Sequence, residues 1–503
     1  MPGPAADVDD PQLLNYKPLQ GLSIAVTAID LEQREHRGIA YFSKALLQAL
    51  DGLGADVYLL TAMRGRRLSA WSMRRMAPAA ALSVVSADIV DQLMDPPLRF
   101  GPALGQQGLR ACWRQLRKLL WAVRLLIGFG IKGGRVGGVA SVPLHDFEAS
   151  PYRGVERLDY LQWVRGFLSV PVLYALVEMR SRRWLPWPPR VQLEDHNIGL
   201  LISTCPLSLA AVNQMGQALP MLQVIHDAFP LEYARHPDQP FYFHNRLHDA
   251  LSHGCVFVSS AARSRVLRLL GRSDDLLNPA LLRRVVVQSP SLRVPALKAA
   301  LSVPALRGVD GPFVLFNSSV VPRKNLLFLL EAFRSSGLTE RGVKLVIAGA
   351  LHDDDYSRMI RSQCEHDPAV CLWGYVDELE KAWLYLRTSA VTSPSLCEGF
   401  GIPVLDAACL GVPVLASAIP SHRDIAALFE ADPKPVRLLA LHDVEAWTLA
   451  FQDLAPLAVV PDSQVVQCRY QTYLVAQQRL QATFAAGLAD AIAAALAERG
   501  SAG

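Results

Sequence analysis

The stretch Ser393-Pro-Ser-Leu-Cys-Glu398-Gly-Phe-Gly401-Ile-Pro-Val-Leu-Asp406, running on to Gly411-Val-Pro-Val414, decides the fold. Ser389 to Thr392 is apolar and β-branched enough for the end of a buried strand. Glu398-Gly-Phe-Gly401 reads as a loop, because closely spaced glycines free the backbone. Pro403 suits a first helical turn, Leu405 to Leu410 a short helix, and Gly411 its stop. Val412 to Ala416 is then the next strand. A βαβ unit of this kind puts its loop at the carboxyl end of a parallel sheet, where open α/β folds bind ligands. Amide donors at the start of the helix would face an anion. Glu398 on the loop and Asp406 inside the helix can then touch two parts of one ligand.

Outward from this unit, the same rhythm recurs. Phe313 to Phe316 reads as a strand, followed by Pro322-Arg323-Lys324-Asn325 and a helix from Leu326 to Phe333. A basic pair just before a helix N-terminus opposes the helix dipole. It makes sense if a phosphate sits there, with a bidentate fork from Arg323 and a point charge from Lys324. Leu345 to Gly349, and Cys371 to Gly374 with a helix from Asp377 to Leu386, continue the alternation. Toward the N-terminus, Leu22 to Ile29, Ile39 to Leu50 and Ala55 to Thr61 give strand, helix, strand. Between the first two lies Glu32-Gln-Arg-Glu-His-Arg37-Gly38, read as a charged loop with Gly38 opening the helix. Met221 to Ile225 is a strand that ends in His226-Asp227-Ala-Phe-Pro230.

EGFGIPVLD resembles the E-x7-E signature of retaining GT-B glycosyltransferases of family 4. That resemblance implies an α/β chain of two Rossmann-like domains facing across a cleft. It implies that Glu398 contacts the donor sugar and Asp406 the nucleotide ribose, although Asp406 is one methylene shorter than the usual Glu. It assigns Arg323, Lys324 and the amides after Gly401 to the departing diphosphate. Arg37-Gly38-Ile39-Ala40-Tyr41 is similar to the first loop of the family, which places Gly38 near the donor phosphates. The His226-Asp227 pair is similar to one beside the sugar, which makes His226 and Glu398 the expected catalytic residues. The segment Cys371 to Val376 resembles the one bordering the base, and Ser318 stands where the family often has Gly. A phosphate oxygen of the leaving group can itself accept the acceptor's proton, so no conventional general base is required. No Asp-x-Asp motif is present, and neither metal nor cofactor is expected.

With 503 residues, 51% hydrophobic, the chain is too long for one core. The expected division is an N-terminal domain over 1–295 with an insertion around 64–190, a nucleotide-sugar domain over 296–466, and a helix over 467–503 that packs back on the first domain. Net charge is +4, too mild for a dedicated nucleic-acid binder. Eight cysteines without a C-x-x-C pair read as reduced thiols. The first residues lack a signal-peptide pattern, and no clean apolar run is long enough for a transmembrane helix. Residues 109–127 pair a basic face, with Arg110, Arg114, Arg117, Lys118 and Arg124, against an apolar one bearing Trp113. Such a helix lies on an anionic bilayer or packs as a surface helix. The basic-aromatic run Arg180 to Arg190 adds to the first alternative.

The expected activity is transfer of a hexose from a nucleotide-diphosphate sugar to a saccharide, or lipid-linked saccharide, in polysaccharide biosynthesis. The expected place is the cytoplasm, peripheral on the inner face of the membrane. The alternative is an inactive GT-B relative that serves as a scaffold or regulatory subunit, as the departures at Asp406 and Ser318 would allow. A phosphorylase or sucrose-type synthase is disfavoured, because nothing suggests a pyridoxal lysine.

Overall fold

The computed structural model describes residues 17–27, 29–33, 36, 38–63, 75–96, 123, 127–130, 134–136, 140–144, 154–193, 197–232, 238–271, 284–285, 288–429, 434–454 and 459–501. The chain divides into two compact units. The first is Met1–Val256 with Leu270–Arg284 and Ala485–Gly503; the second is Phe257–Leu269 with Val285–Phe484.

In the first unit the strands are β1 (Ser23–Thr27), β2 (Asp56–Thr61), β3 (Arg135–Val136), β4 (Ala140–Pro143), β5 (Gly166–Ser169), β6 (Arg190–Gln192), β7 (Ile198–Ser203), β8 (Ala210–Val212), β9 (Met221–Ile225), β10 (Gly254–Phe257) and β11 (Arg284–Val285). Eight of them form a sheet in the order β11-β10-β9-β7-β1-β2-β5-β4, and the other three a small sheet, β3-β6-β8. Central β1 pairs in parallel with both β2 and β7. Its last four residues are all buried, as expected of a strand covered on both faces. The helix Gly38–Gly52 follows β1 and buries Phe42, Leu46, Leu47 and Leu50.

In the charged loop before the first helix, Glu32 is 2% exposed and accepts the Thr61 hydroxyl at 2.7 Å. The basic run from Arg180 is partly engaged inside the first unit. Arg180 and Arg183 pair with Asp249 at 3.0 and 3.2 Å, tying the helix Leu173–Ser181 to the helix Pro240–Ala250. Trp184 and Trp187 stay exposed, with Arg182 over the Trp184 ring. Most of the basic helix expected at 109–127 lies outside the described residues; Val123 and Ile127 are exposed.

The second unit is a six-stranded parallel sheet: β12 (Phe313–Asn317), β13 (Lys344–Ala348), β14 (Val370–Gly374), β15 (Ala390–Ser393), β16 (Val414–Ser417) and β17 (Val436–Leu439). Their order is β14-β13-β12-β15-β16-β17. Counted within the unit this is the 3-2-1-4-5-6 Rossmann order, with its reversal between β12 and β15. These two strands pair in parallel, Val314 with Ala390 and Leu315 with Val391. Phe316, Leu329, Leu330, Phe333, Ile347 and Trp447 anchor the core on one side of the sheet.

The last helix, Ser463–Ser501, is longer than expected and belongs to both units by residue: through Phe484 to the second, from Ala485 to the first. Its stretch Ser463–Ala497 is long and apolar enough to cross a membrane, with a mean hydropathy of 1.5. Its burial follows a packed stripe instead: Tyr473, Leu480, Phe484, Leu488 and Ile492 are buried at mostly four-residue spacing.

Candidate functional site

Two loops leave the carboxyl ends of β12 and β15 side by side, at the point where the strand order reverses. The β12 loop begins at Ser318, whose N–H donates to the Ala348 carbonyl at 2.9 Å. The Ser318 carbonyl lies against Gly349, where a Cβ would come within 1.8 Å of its oxygen. Only glycine lets these backbones touch. The loop ends in a tight 3-10 turn, Pro322–Lys324, before the helix Leu326–Arg334. The β15 loop carries Ser395, Glu398 and Gly401 into the helix Ile402–Cys409. The Leu396 N–H donates to the Arg323 carbonyl at 2.8 Å and joins the two loops.

The structure brings Arg323, Lys324 and Glu398 together. Arg323 Nη1 donates to Glu398 Oε2 at 2.9 Å, and Lys324 Nζ is hydrogen-bonded to Oε1. The Ser395 hydroxyl also donates to Oε1, at 2.7 Å. The Lys324 and Glu398 side chains are each 8% exposed. Burial would raise the Glu398 pKa, but the adjacent Lys324 and Arg323 charges overcome it and hold the carboxyl at about 2. Burial pulls Lys324 down to about 8, against the attraction of Glu398 and with the repulsion of Arg323. At neutral pH the site therefore holds two cations and one carboxylate.

A second layer, not picked out in the sequence, fixes this loop. His422 is fully buried, and its Nδ1 lies 2.9 Å from the Ser417 carbonyl. A carbonyl only accepts, so Nδ1 carries the proton and Nε2 is the acceptor, facing the Ser393 hydroxyl at 3.4 Å. Burial lowers the His422 pKa to about 4, so the ring is neutral. The Ser417 hydroxyl donates to the Ser395 carbonyl at 2.5 Å. Gly401 caps the helix Ile402–Cys409 with φ +114°, and a Cβ there would lie 3.0 Å from His422 Cδ2. Ser259, which belongs to the second unit, donates to the Gly399 carbonyl at 2.5 Å. A small open pocket of about 70 Å³ beside this loop is lined by Arg265, Arg268, Cys397, Glu398, Pro420 and Ser421, among others.

Asp406, which the family resemblance assigns to the ribose, does not join this group. It is 1% exposed, and its two oxygens accept from the Ser291 N–H at 2.6 Å and the Ser291 hydroxyl at 2.5 Å. Its shorter side chain faces into the protein. Burial raises its pKa, opposed by Lys381 and Ser291. In the segment 371–376, Trp373 is packed internally, its ring stacked on Trp383 with centroids 6.0 Å apart, whereas Tyr375 is 60% exposed.

The other two expected residues belong to the first unit. Gly38 is exposed at the start of its helix. His226, just past β9, lies 2.8 Å through Nε2 from the Thr204 carbonyl, so Nε2 carries the proton. It meets the Phe42 ring edge-on at 5.0 Å, and burial lowers its pKa to about 4. Among the described residues no group of three His, Cys, Asp or Glu side chains could hold a metal ion, and the seven described cysteines are free thiols.

The fold and site define a class. Residues 302–435 match the family of glycosyl transferases group 1. The second unit thus contains the segment that matches this glycosyltransferase family. A crystal structure of HepE from Anabaena in complex with UDP superposes with a TM-score of 0.50 at 13% identity, covering 94% of this chain and 99% of that one. That likeness shows the fold, GT-B with two Rossmann-like units. Among individual relatives, the O-antigen chain mannosyltransferase B of Escherichia coli is 27% identical over 221 residues, 42% of this chain and 56% of that protein. The serotype-specific mannosyltransferase WbdA of Escherichia coli is 25% identical over 236 residues, 44% of this chain and 27% of that protein. The chain thus spans about half, or less, of the length of these curated relatives.

Proposed function

We propose that the chain transfers a hexose from a nucleotide-diphosphate sugar to a hydroxyl of a saccharide, or lipid-linked saccharide, with retention of the anomeric configuration. The observation that carries this reading is the convergence of Arg323 and Lys324 with Glu398 at the switch point of a Rossmann sheet. Two cations on one loop suit a diphosphate, and a carboxylate between them suits the hydroxyls of the attached sugar. As the sugar–phosphate bond breaks, negative charge grows on the departing diphosphate. Arg323, Lys324 and the amides at the start of the helix Ile402–Cys409 would neutralise it there. A phosphate oxygen would take the acceptor's proton. The resemblance adds His226 at the sugar and Gly38 at the phosphates, and Tyr375 is offered to the base. The relatives' names favour mannose as the sugar and a polysaccharide as the product.

A thermal-shift screen against UDP, GDP, TDP, ADP and their sugars tests the reading. A ligand at a hundred times its Kd stabilises by about 2.7 kcal/mol. A response to one base, followed by product from its sugar, is expected. No response from folded protein would overturn the donor assignment. The occupied carboxylate of Asp406 favours a second reading, a GT-B relative without turnover that acts as a scaffold. Nucleotide-sugar-dependent product excludes that reading.

A further inference from the structure

A rigid loop of the first unit holds two tryptophans out toward solvent. Leu185 pins the segment Trp184-Leu-Pro-Trp-Pro-Pro189 to the core at 2% exposure, while Trp184 and Trp187 on either side of it are 56% and 42% exposed. Arg180 Nη1 donates to the Leu185 and Pro186 carbonyls, both at 3.0 Å, and the prolines stiffen the backbone further. The Trp187 ring is stacked on Phe129 with centroids 6.4 Å apart. Gly134 closes over the same indole at φ +80°, where any Cβ would strike it. Phe129 belongs to a helical turn, residues 127–130, whose Ile127 is 59% exposed. Charge lies beside this apolar group. Arg135 of β3 and Arg190 of β6 are partners in register, so their side chains leave one face of the small sheet, and both are exposed. Val136 and Val191, the next pair, face the core instead. Two like charges side by side on neighbouring strands repel. Among the described residues no carboxylate neutralises either of them. Exposed indoles in a stiff frame and two adjacent cations without an anion are not explained by any contact inside the unit.

We propose that the Trp184–Trp187 loop, with Ile127, Arg135 and Arg190, docks on an anionic lipid surface. Indole rings settle at headgroup level, where their apolar body and polar N–H are both satisfied. Ile127 enters beside them, and the two arginines meet in the headgroups the anions that the protein does not supply. The basic-aromatic runs that the sequence offers separately, 109–127 and 180–190, join here, because Ile127 shares a helical turn with the Phe129 that carries Trp187. A saccharide also stacks on tryptophan, but the aliphatic Ile127 favours lipid. The inference concerns the first unit and does not rest on the reading of the donor loop.

Flotation of the full chain tests it, with vesicles of phosphatidylcholine alone and of phosphatidylcholine and phosphatidylglycerol in a roughly 2:1 ratio. Binding should favour the anionic vesicles and weaken as salt is added. Trp184→Ala should lower partitioning about tenfold. Arg135→Gln and Arg190→Gln should each lower it about fivefold on anionic vesicles and leave neutral ones unchanged. All three side chains are exposed, so Tm should hold. Variants that bind anionic vesicles as the parent does would leave the contact to 109–127 alone and overturn the proposal. The intact chain gives a second measurement: lipids brominated in the acyl chain should quench part of its tryptophan emission. Unquenched emission from vesicle-bound protein would overturn the proposal without any variant. If no vesicle binds, and an acidic polysaccharide retains the parent but not Trp184→Ala, the face is a saccharide site and the proposal falls.

Discussion

Replacing Lys324 with Met should slow transfer by about a hundredfold or more while changing the stability of the fold by less than about 2 kcal/mol. Glu398, ordinarily at 4.5, is held at about 2, which corresponds to roughly 3 kcal/mol in favour of folding at neutral pH. That contribution is present above pH 4.5 and is lost as pH falls through 2. Lys324, ordinarily at 10.5, is lowered to about 8, which corresponds to roughly 3 kcal/mol against folding below pH 8, relieved as pH rises toward 10.5. The same Lys324–Glu398 attraction contributes to both shifts, and a buried ion cluster of this kind commonly adds little net stability once its desolvation is counted. Lys324→Met removes a desolvated cation, and Glu398 keeps Arg323 at 2.9 Å and Ser395 at 2.7 Å. A change of less than about 2 kcal/mol is expected. Glu398→Gln is the opposite case, because it leaves two cations with no anion and should cost about 3–5 kcal/mol. Turnover should fall by about a hundredfold or more in both. Urea denaturation gives the stabilities and a donor-consumption assay the rates. The charge argument fails if Lys324→Met is the more destabilising variant. The phosphate assignment fails if Lys324→Met keeps full turnover.

The other predictions concern pH, the loop backbone and the membrane. If the Lys324 ammonium holds the diphosphate, kcat/KM should fall as pH rises above about 8, and Lys324→Arg should remove that limb, since a guanidinium stays protonated. Gly401→Ala should cost about 1–3 kcal/mol, because φ is +114° and the new Cβ would press on His422; thermal denaturation and the transfer rate should both report it. The basic segment 109–127 should bind anionic vesicles more than neutral ones, and added salt should release it; flotation equal on both would remove the membrane proposal.

Much of the second unit was legible in advance, and for a physical reason. Its strands are buried on both faces, so they read as continuous apolar runs such as Leu345-Val-Ile347 and Phe313-Val-Leu-Phe316. Its loops carry glycine, proline and paired charges, which mark turns and ligand contacts locally. The first unit was less legible. The pairing of Glu32 with Thr61, 29 residues away, and of Arg180 with Asp249, 69 residues away, could not be read from local spacing. The last helix was read as helix from composition, but its buried stripe depends on what packs against it.

Sequence alone determined the alternation of strands and helices, the Arg323–Lys324 pair before its helix and the Glu398 loop, each of which depends on spacing within a few residues. That Glu398 meets Arg323 and Lys324, 75 and 74 residues earlier, was decided by the tertiary structure. Only the tertiary structure decided the orientation of Asp406. Counting residues placed it eight positions beyond Glu398, as a donor ligand would be, but Ser291 lies 115 residues earlier in the chain. A carboxylate goes to the strongest unsatisfied donors within reach, and which donors those are is fixed by packing, not by the motif in which the carboxylate stands.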